Sequence, residues 1–354
     1  MLTLALAVVT VGNHWKYAFG PPDAQGRIRA SADDFVVREE LGFTASGEGQ
    51  HLLVHVRKRE TNTQFVAREL ARMAGVRPRE VGYAGLKDRH AVAEQWFTIG
   101  LPSTKTQVDL SQGGAGFEVL SATPHHRKLR RGALARNRFE IRVTALEGGE
   151  AVLAERLRAV RERGVPNYFG RQRFGRDANN LRTAERMLLE GERVKQREQR
   201  SFAYSAARSF LFNELLSLRI ENETWDRLVV GDLANLDGVG SVFAVDALDD
   251  KLERRVAELD LHPTGPLWGK GAPEISGAPS DWEARACGAH PFAAALVADG
   301  LEHARRALRL RVQDLEWKFE RDTLCLRFGL TSGAFATSVL REILVVRDAS
   351  SGDL

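Results

Sequence analysis

Cysteine is nearly absent: 354 residues contain two, Cys287 and Cys325. Neither sits in a CxxC pair or beside a histidine cluster, which argues against a disulfide framework and a cysteine-ligated zinc site. Both are read as small buried apolar residues. No HExxH, no GxSxG and no Asp/Glu/His set at metal-ligand spacing occurs, so the common zinc-hydrolase and serine-hydrolase signatures are missing. The glycine-rich stretch GGAGFE at 113–118 lacks the Lys-Ser/Thr pair of a nucleotide phosphate loop and reads as a turn. No metal and no other cofactor is expected. Long apolar runs are missing too. The start, MLTLALAVVTVGNHW, has no positive leader and is too short to span a bilayer, so it reads as an edge strand or a chain-start extension. No membrane association is expected, and a cytoplasmic setting fits. Charge of one sign is not in excess: 51 Lys and Arg against 47 Asp and Glu leave a net charge of +4.

What is present is a folded-protein composition, 43% apolar and 28% charged, long enough for two domains. The positive charge is unevenly spread. His125 to Arg138 holds Arg127, Lys128, Arg130, Arg131, Arg136 and Arg138 with no acid. Tyr168 to Arg176 interleaves three arginines with Tyr168, Phe169 and Phe174. Basic runs suit phosphates, and aromatic rings and guanidinium planes stack on splayed bases. A solvated basic face is the plain alternative.

The first half alternates strand and helix patterns. HLLVHVRK (51–58) reads as a strand and TNTQFVARELARMAG (61–75) as a helix, with N-cap candidates at 61–63 and Gly75 at its end. EVGYAGL and QWFTIG read as strands. NRFEIRVTAL (137–146) has a period of two, placing Asn137, Phe139, Ile141 and Val143 on one face. Residues 150–164 read as a helix. The texture then changes: a basic turn-rich loop around 167–176, two amphipathic helices, a Pro/Gly loop over 263–282 and a helix over 291–310 kinked at Gly300. The tail returns to strands and closes with GAFATSVLREIL as a helix. An α+β or mixed α/β class follows.

One stretch stands apart: GYAGLKDRHAV at 82–92. Gly82 and Gly85 permit unusual backbone angles or a close approach. Lys87, Arg89 and any cation folded nearby would favour the ionised form of Asp88. A turn residue or half of a surface ion pair is the bland reading. The stretch resembles the signature that carries the catalytic aspartate in the TruD family of tRNA pseudouridine synthases. Further blocks in family order carry the same resemblance: SADDFVVREELGFTASGEGQHLLVHVRK, RKLRRGALARNRFEI, GVPNYFGRQRFG, RSFAYSAARSFLFNELL and GAFATSVLREIL, together covering about residues 28–346.

The resemblance implies a pseudouridine-synthase catalytic domain, a mixed sheet flanked by helices, formed by 1–162 plus 310–354. A TruD-type insertion would occupy 163–309. The activity implied is isomerisation of uridine 13 of tRNA, by a monomer, with tRNA as partner and no cofactor. Asp88 takes the catalytic place. Its carboxylate would either attack C1′ or remove the 2′ proton, and both routes stay open. Phe35, Asn137 and Phe335 match the family's substrate contacts, and Phe139 matches the aromatic that packs on uracil. Arg29 sits where the family carries a basic partner for the aspartate, commonly Lys. His90 is given no catalytic role. A uridine inside folded RNA would have to be flipped out, with the runs at 125–138 and 168–176 lining the RNA groove. An RNA-binding protein that has lost catalysis is the rival reading, and the intact frame around Asp88 weighs against it.

Overall fold

A period of two and a period near 3.6 sort this chain into two compact units. The computed structural model describes residues 14–102, 108–271 and 274–351. The apolar start at 1–13, expected as a strand or extension, lies outside the described residues. The sheet unit comprises Asp23–Ala154, Val312–Ala334 and the chain from Leu344. The helical unit comprises Glu155–Arg311, Phe335–Ile343 and residues 14–22. The segments 1–162 and 310–354 therefore contribute chain to both units. Among the described residues no helix is long and apolar enough to cross a membrane.

The sheet unit is built on a ten-stranded mixed sheet. Seven strands form its spine: β1 (Phe35–Glu40), β2 (His51–Arg59), β3 (Val92–Gly100), β4 (Phe117–His125), β5 (Arg136–Glu147), β6 (Gln313–Glu320) and β7 (Thr323–Thr331). Their spatial order is β6–β7–β5–β1–β3–β2–β4. β1 and β3 run parallel, and the other spine pairs are antiparallel. Strict alternation buries Asn137, Phe139, Ile141 and Val143 of β5. It likewise buries Phe35, Val37 and Glu39 of β1. In β1 and β5 one face is thereby removed from water, which fixes the register: a slip by one residue would expose that whole face.

The helix expected over 61–75 is α1, Thr63–Ala74. Asn62 occupies its N-cap position, and Gly75 ends it at φ 62° in the left-handed region that glycine tolerates. Val66, Leu70 and Ala74 are buried in a cluster with Val54, Val56, Phe97 and Ile99.

The helical unit holds α2 (Asn179–Leu188), the 25-residue α3 (Arg197–Glu221) and α4 (Ala336–Ile343), with a four-stranded sheet of its own. Phe210, Leu211, Phe212, Leu215 and Leu216 of α3 lie in its core with Tyr168, Phe169 and Phe174. Two sequence expectations fail here. The supposed 263–282 loop holds the buried strand Leu261–Leu267 and the helix Gly277–Glu283. The supposed 291–310 helix stops at Ala298, and Gly300 follows at φ 75°. Ala304–Ala307 then pairs antiparallel with Thr264–Leu267. Strand pairing has overridden the apolar, alanine-rich helical pattern, and the prolines of Leu261–Leu267 are tolerated within that pairing.

Candidate active site

Asp88 lies on the irregular connection between the short strand Val81–Tyr83 and β3. The connection has almost no backbone ladder of its own, so side chains hold it. Thr63 Oγ1, at the start of α1, accepts from Lys87 N at 3.0 Å. The same hydroxyl donates to Gln95 Oε1 at 2.9 Å, and Gln95 Nε2 donates to Gly85 O at 2.7 Å. Lys58 Nζ donates to the Asp88 carbonyl at 2.7 Å. Lys87 Nζ reaches Glu39 Oε1 at 2.5 Å, and Glu39 Oε2 accepts from Trp96 N at 2.8 Å. Buried or half-buried groups on α1, β1, β2 and β3 therefore fix this turn from four sides.

The basic loop after β4 closes a fifth side. Gly132 N donates to Ala84 O at 2.7 Å. Leu129 N donates to Thr98 Oγ1 at 2.9 Å. A Cβ on Gly82 would meet Leu129 O at 2.5 Å, so glycine is required there by the approach of this loop. Gly85 has open space around it, and no such requirement applies.

The cation that faces the Asp88 carboxylate is Arg29. Its Nη2 donates to Asp88 Oδ2 at 2.9 Å. Its Nη1 donates to Asp348 Oδ2. Asp348 is in turn oriented by Ser350 N at 3.0 Å and Ser350 Oγ at 2.6 Å through its Oδ1. The guanidinium lies 3.9 Å over the centroid of the Phe35 ring. Arg29 adopts φ 55°, a left-handed conformation that costs a side chain other than glycine of order 1 kcal/mol. That strain is held by three contacts to the same guanidinium. Lys87, expected to face Asp88, pairs with Glu39, and Arg89 Nε donates to Glu60 O at 3.4 Å. His90 is exposed.

Asp88 is 62% exposed at its side chain, whereas Arg29 is 8% exposed. Among the described residues Oδ1 of Asp88 has no hydrogen bond. One oxygen is thus anchored and the other is unengaged. Lys58 supplies a second cation beneath the turn. Burial pushes its ammonium down to about 8, against a smaller upward pull from Asp88.

Phe35 and Phe139 are both buried, their rings 6.1 Å apart edge to face, and Phe139 stacks on Phe328 at 5.4 Å. Asn137 Oδ1 is buried with no partner among the described residues, an unmet acceptor at the end of the same strand face. Asp88, Arg29, Phe35, Asn137 and Phe139 all lie in the sheet unit. Phe335 lies in the helical unit, 6.4 Å from Phe169 between ring centroids.

Lys58, Glu39, Thr63, Gln95 and Asp348 were missed by the sequence reading. Two carried a signal: Lys58 sits at the parity of the buried Val54 and Val56, and Glu39 at that of Phe35 and Val37. Charge at an inward strand position marks a paired group.

The family model described as tRNA pseudouridine synthase D (TruD) matches residues 12–199 and 193–343. A relative from Methylococcus capsulatus named tRNA pseudouridine synthase D is 46% identical over 329 residues, covering 92% of this chain and 93% of that protein. One of the same name from Aeromonas hydrophila is 44% identical over 338 residues, covering 95% of each. A solved structure from Methanosarcina mazei, described under the same family name, superposes with a TM-score of 0.68 at 20% identity over 96% of this chain and 97% of that one, which shows a shared fold.

Proposed function

The chain belongs to the TruD family of tRNA pseudouridine synthases, and from that premise we propose that it isomerises uridine 13 of tRNA to pseudouridine with Asp88 as the acting carboxylate. The reaction breaks the N1–C1′ bond, turns the uracil and joins C5 to C1′. It needs no group donor. The observation that carries the assignment is the unequal carboxylate: Oδ2 is held by Arg29 at 2.9 Å, and the exposed Oδ1 is unengaged. Attack at C1′ and removal of the 2′ proton both start from that oxygen. The orphaned Asn137 Oδ1 suits the uracil N3–H, and Phe35 and Phe139 give the flipped base an apolar wall.

Residues 1–162 with 310–354 are assigned to the catalytic domain and 163–309 to the family insertion. The basic runs at 125–138 and 168–176 are assigned to phosphate contact. Arg130 and Arg131 support this: both are exposed, and among the described residues neither has a carboxylate partner. The enzyme is placed in the cytoplasm as a monomer, where its two free cysteines stay reduced. Pseudouridine mapping of total tRNA from cells with the gene, without it, and with Asp88→Asn in its place tests the reading. Position 13 is expected to carry pseudouridine in the first alone. Modification at 13 that persists in the other two would overturn it.

A further inference from the structure

Buried polar atoms without partners are uncommon in a well-packed protein, and each calls for an explanation. Seven such side-chain atoms occur among the described residues. Two of them, Arg29 Nε and Asn137 Oδ1, belong to the site around Asp88. Four others gather in the helical unit: Nε of Arg173, Arg208 and Arg306, and Oγ1 of Thr337.

The three arginines come from different elements; the guanidiniums of Arg173 and Arg306 converge on one ring, and Arg208 lies on α3 between Ser205, which Arg173 touches, and Phe212, which Arg306 faces. Arg306 lies 4.2 Å from the Phe169 centroid and Arg173 lies 5.2 Å from it. Arg306 is also 5.7 Å from Phe212. Phe212 is one helical turn beyond Arg208 on α3. Thr337 Oγ1 borders Gly170, at the start of the turn that carries Arg173. Arg173 donates to Ser205 Oγ at 3.0 Å and Arg306 to Asn167 Oδ1 at 2.6 Å. Arg208 donates to Leu267 O at 2.6 Å and to Glu302 O at 2.9 Å. Every one of these acceptors is neutral.

Neighbouring arginines of the same unit are treated differently. Arg305 is paired with Glu283 at 2.7 Å, and Arg219 with Asp232 at 2.7 Å. Arg173, Arg208 and Arg306 are half-buried with no carboxylate against them among the described residues. Burial lowers all three, and Arg306 falls to about 9 through burial and the charge of Arg173, so it is still a cation at neutral pH. Cations withdrawn from water and packed together without a counter-charge are costly unless an anion completes them.

We propose that Arg173, Arg208, Arg306 and Thr337 form a clamp for one phosphodiester group of the RNA substrate. Planar guanidinium forks match a phosphate's oxygens, and the threonine hydroxyl adds a neutral donor. The Phe335 ring of the same unit is 5.7 Å from the Arg173 guanidinium, which sets the clamp beside a residue that matches a substrate contact of the family. Only Arg173 belongs to a basic run of the sequence; Arg208 and Arg306 are brought in by the fold. The inference rests on the RNA-modifying function proposed above.

The test is binding of unmodified tRNA transcript across a salt series, with Arg173→Gln, Arg208→Gln and Arg306→Gln made singly and together. Each substitution should weaken binding about tenfold, the worth of a charge-assisted hydrogen bond. Each should also lower the log–log salt slope by roughly 0.7–0.9. The unfolding temperature in phosphate-free buffer should hold or rise, because an uncompensated cation is removed. Inorganic phosphate should raise that temperature for the wild type and not for the triple variant. Unchanged affinity and slope in all three variants would overturn the clamp. So would a lower unfolding temperature with an unchanged slope, which marks packing. A phosphate response without a tRNA response would overturn the RNA as its source. Pseudouridine assays on the same wild-type protein keep the two readings apart: no product at position 13 with the clamp results intact overturns the function and leaves the anion site standing.

Discussion

Arg219–Asp232 in the helical unit and Arg29–Asp88 in the sheet unit are both arginine–aspartate pairs, and they are built to opposite ends. Arg219 grips Asp232 through two bonds of 2.7 and 2.9 Å, with both side chains at most 2% exposed. Asp232 Oδ2 also accepts from Val229 N, and Arg219 also donates to Thr224 O. Nothing on that pair is left over. Arg29 holds Asp88 by a single bond, and the remaining oxygen faces outward. A saturated buried pair is a structural joint, since removing either half strands a charge in a dry place. A one-sided pair at the surface adds little stability, and it leaves a carboxylate fixed in direction with one oxygen unengaged, as the proposed role of Asp88 requires.

The strongest way to break this comparison is to neutralise each aspartate. Asp88→Asn should cut pseudouridine formation by at least about 10²–10⁴-fold while unfolding near the wild-type temperature. Asp232→Ala should cost about 3–5 kcal/mol of stability, while the molecules that stay folded still turn over. Turnover assays and denaturant melts on both variants check this, and a loss of stability for Asp88→Asn as large as for Asp232→Ala would erase the distinction.

Glu39 sharpens it, being a saturated buried group placed beside Asp88. Glu39→Ala strands Lys87 and is expected to lose about 3 kcal/mol of stability. It should also lower turnover, because the turn carrying Asp88 loses an anchor. A variant with lower stability and full turnover per folded molecule would show that the turn does not depend on this joint.

Lys58 gives a smaller effect that depends on pH. Its folded value of about 8 lies below the 10.5 of an ordinary lysine. Below pH 8 it is protonated in both states, and the burial cost falls on the folded one. Between pH 8 and 10.5 the unfolded chain holds more protons, so this group's contribution rises with pH. The wild type should gain on the order of 3 kcal/mol relative to Lys58→Met across that window. Parallel stability curves for the two proteins would show that Lys58 keeps an ordinary value.

The smallest expected change extends the contrast to the basic run. Arg136 and Arg138 are tied to Glu40 and Asp314, whereas Arg130 and Arg131 are exposed and unpaired among the described residues. Arg130→Ala with Arg131→Ala should weaken tRNA binding about tenfold and lower its salt slope by roughly 0.7–0.9 per contact. Arg138→Ala should do less. Equal slopes for the two variants would dissolve the distinction.

Much of the sheet unit was written in local pattern. Alternation alone placed Asn137 and Phe139 on one strand face, and the N-cap candidates at 61–63 with Gly75 bracketed α1. The same alternation marked Lys58 and Glu39 as inward charges, a legible signal that the larger motif overshadowed. The strands at 261–267 and 304–307 were not legible. Proline, glycine and alanine there favour other structures locally, and only partners distant in sequence supply the ladder that decides the outcome.

The sequence by itself determined the family, the carboxylate at Asp88 and the strand faces behind it, because side-chain identity and a period of two are properties of neighbouring residues. The tertiary structure decided which cation meets that carboxylate, which oxygen stays free, and that Arg173, Arg208 and Arg306 gather in one unit with no carboxylate partner among the described residues. Those facts depend on distances of a few ångströms between residues far apart along the chain, and pairing, burial and the loss of solvent act over that range.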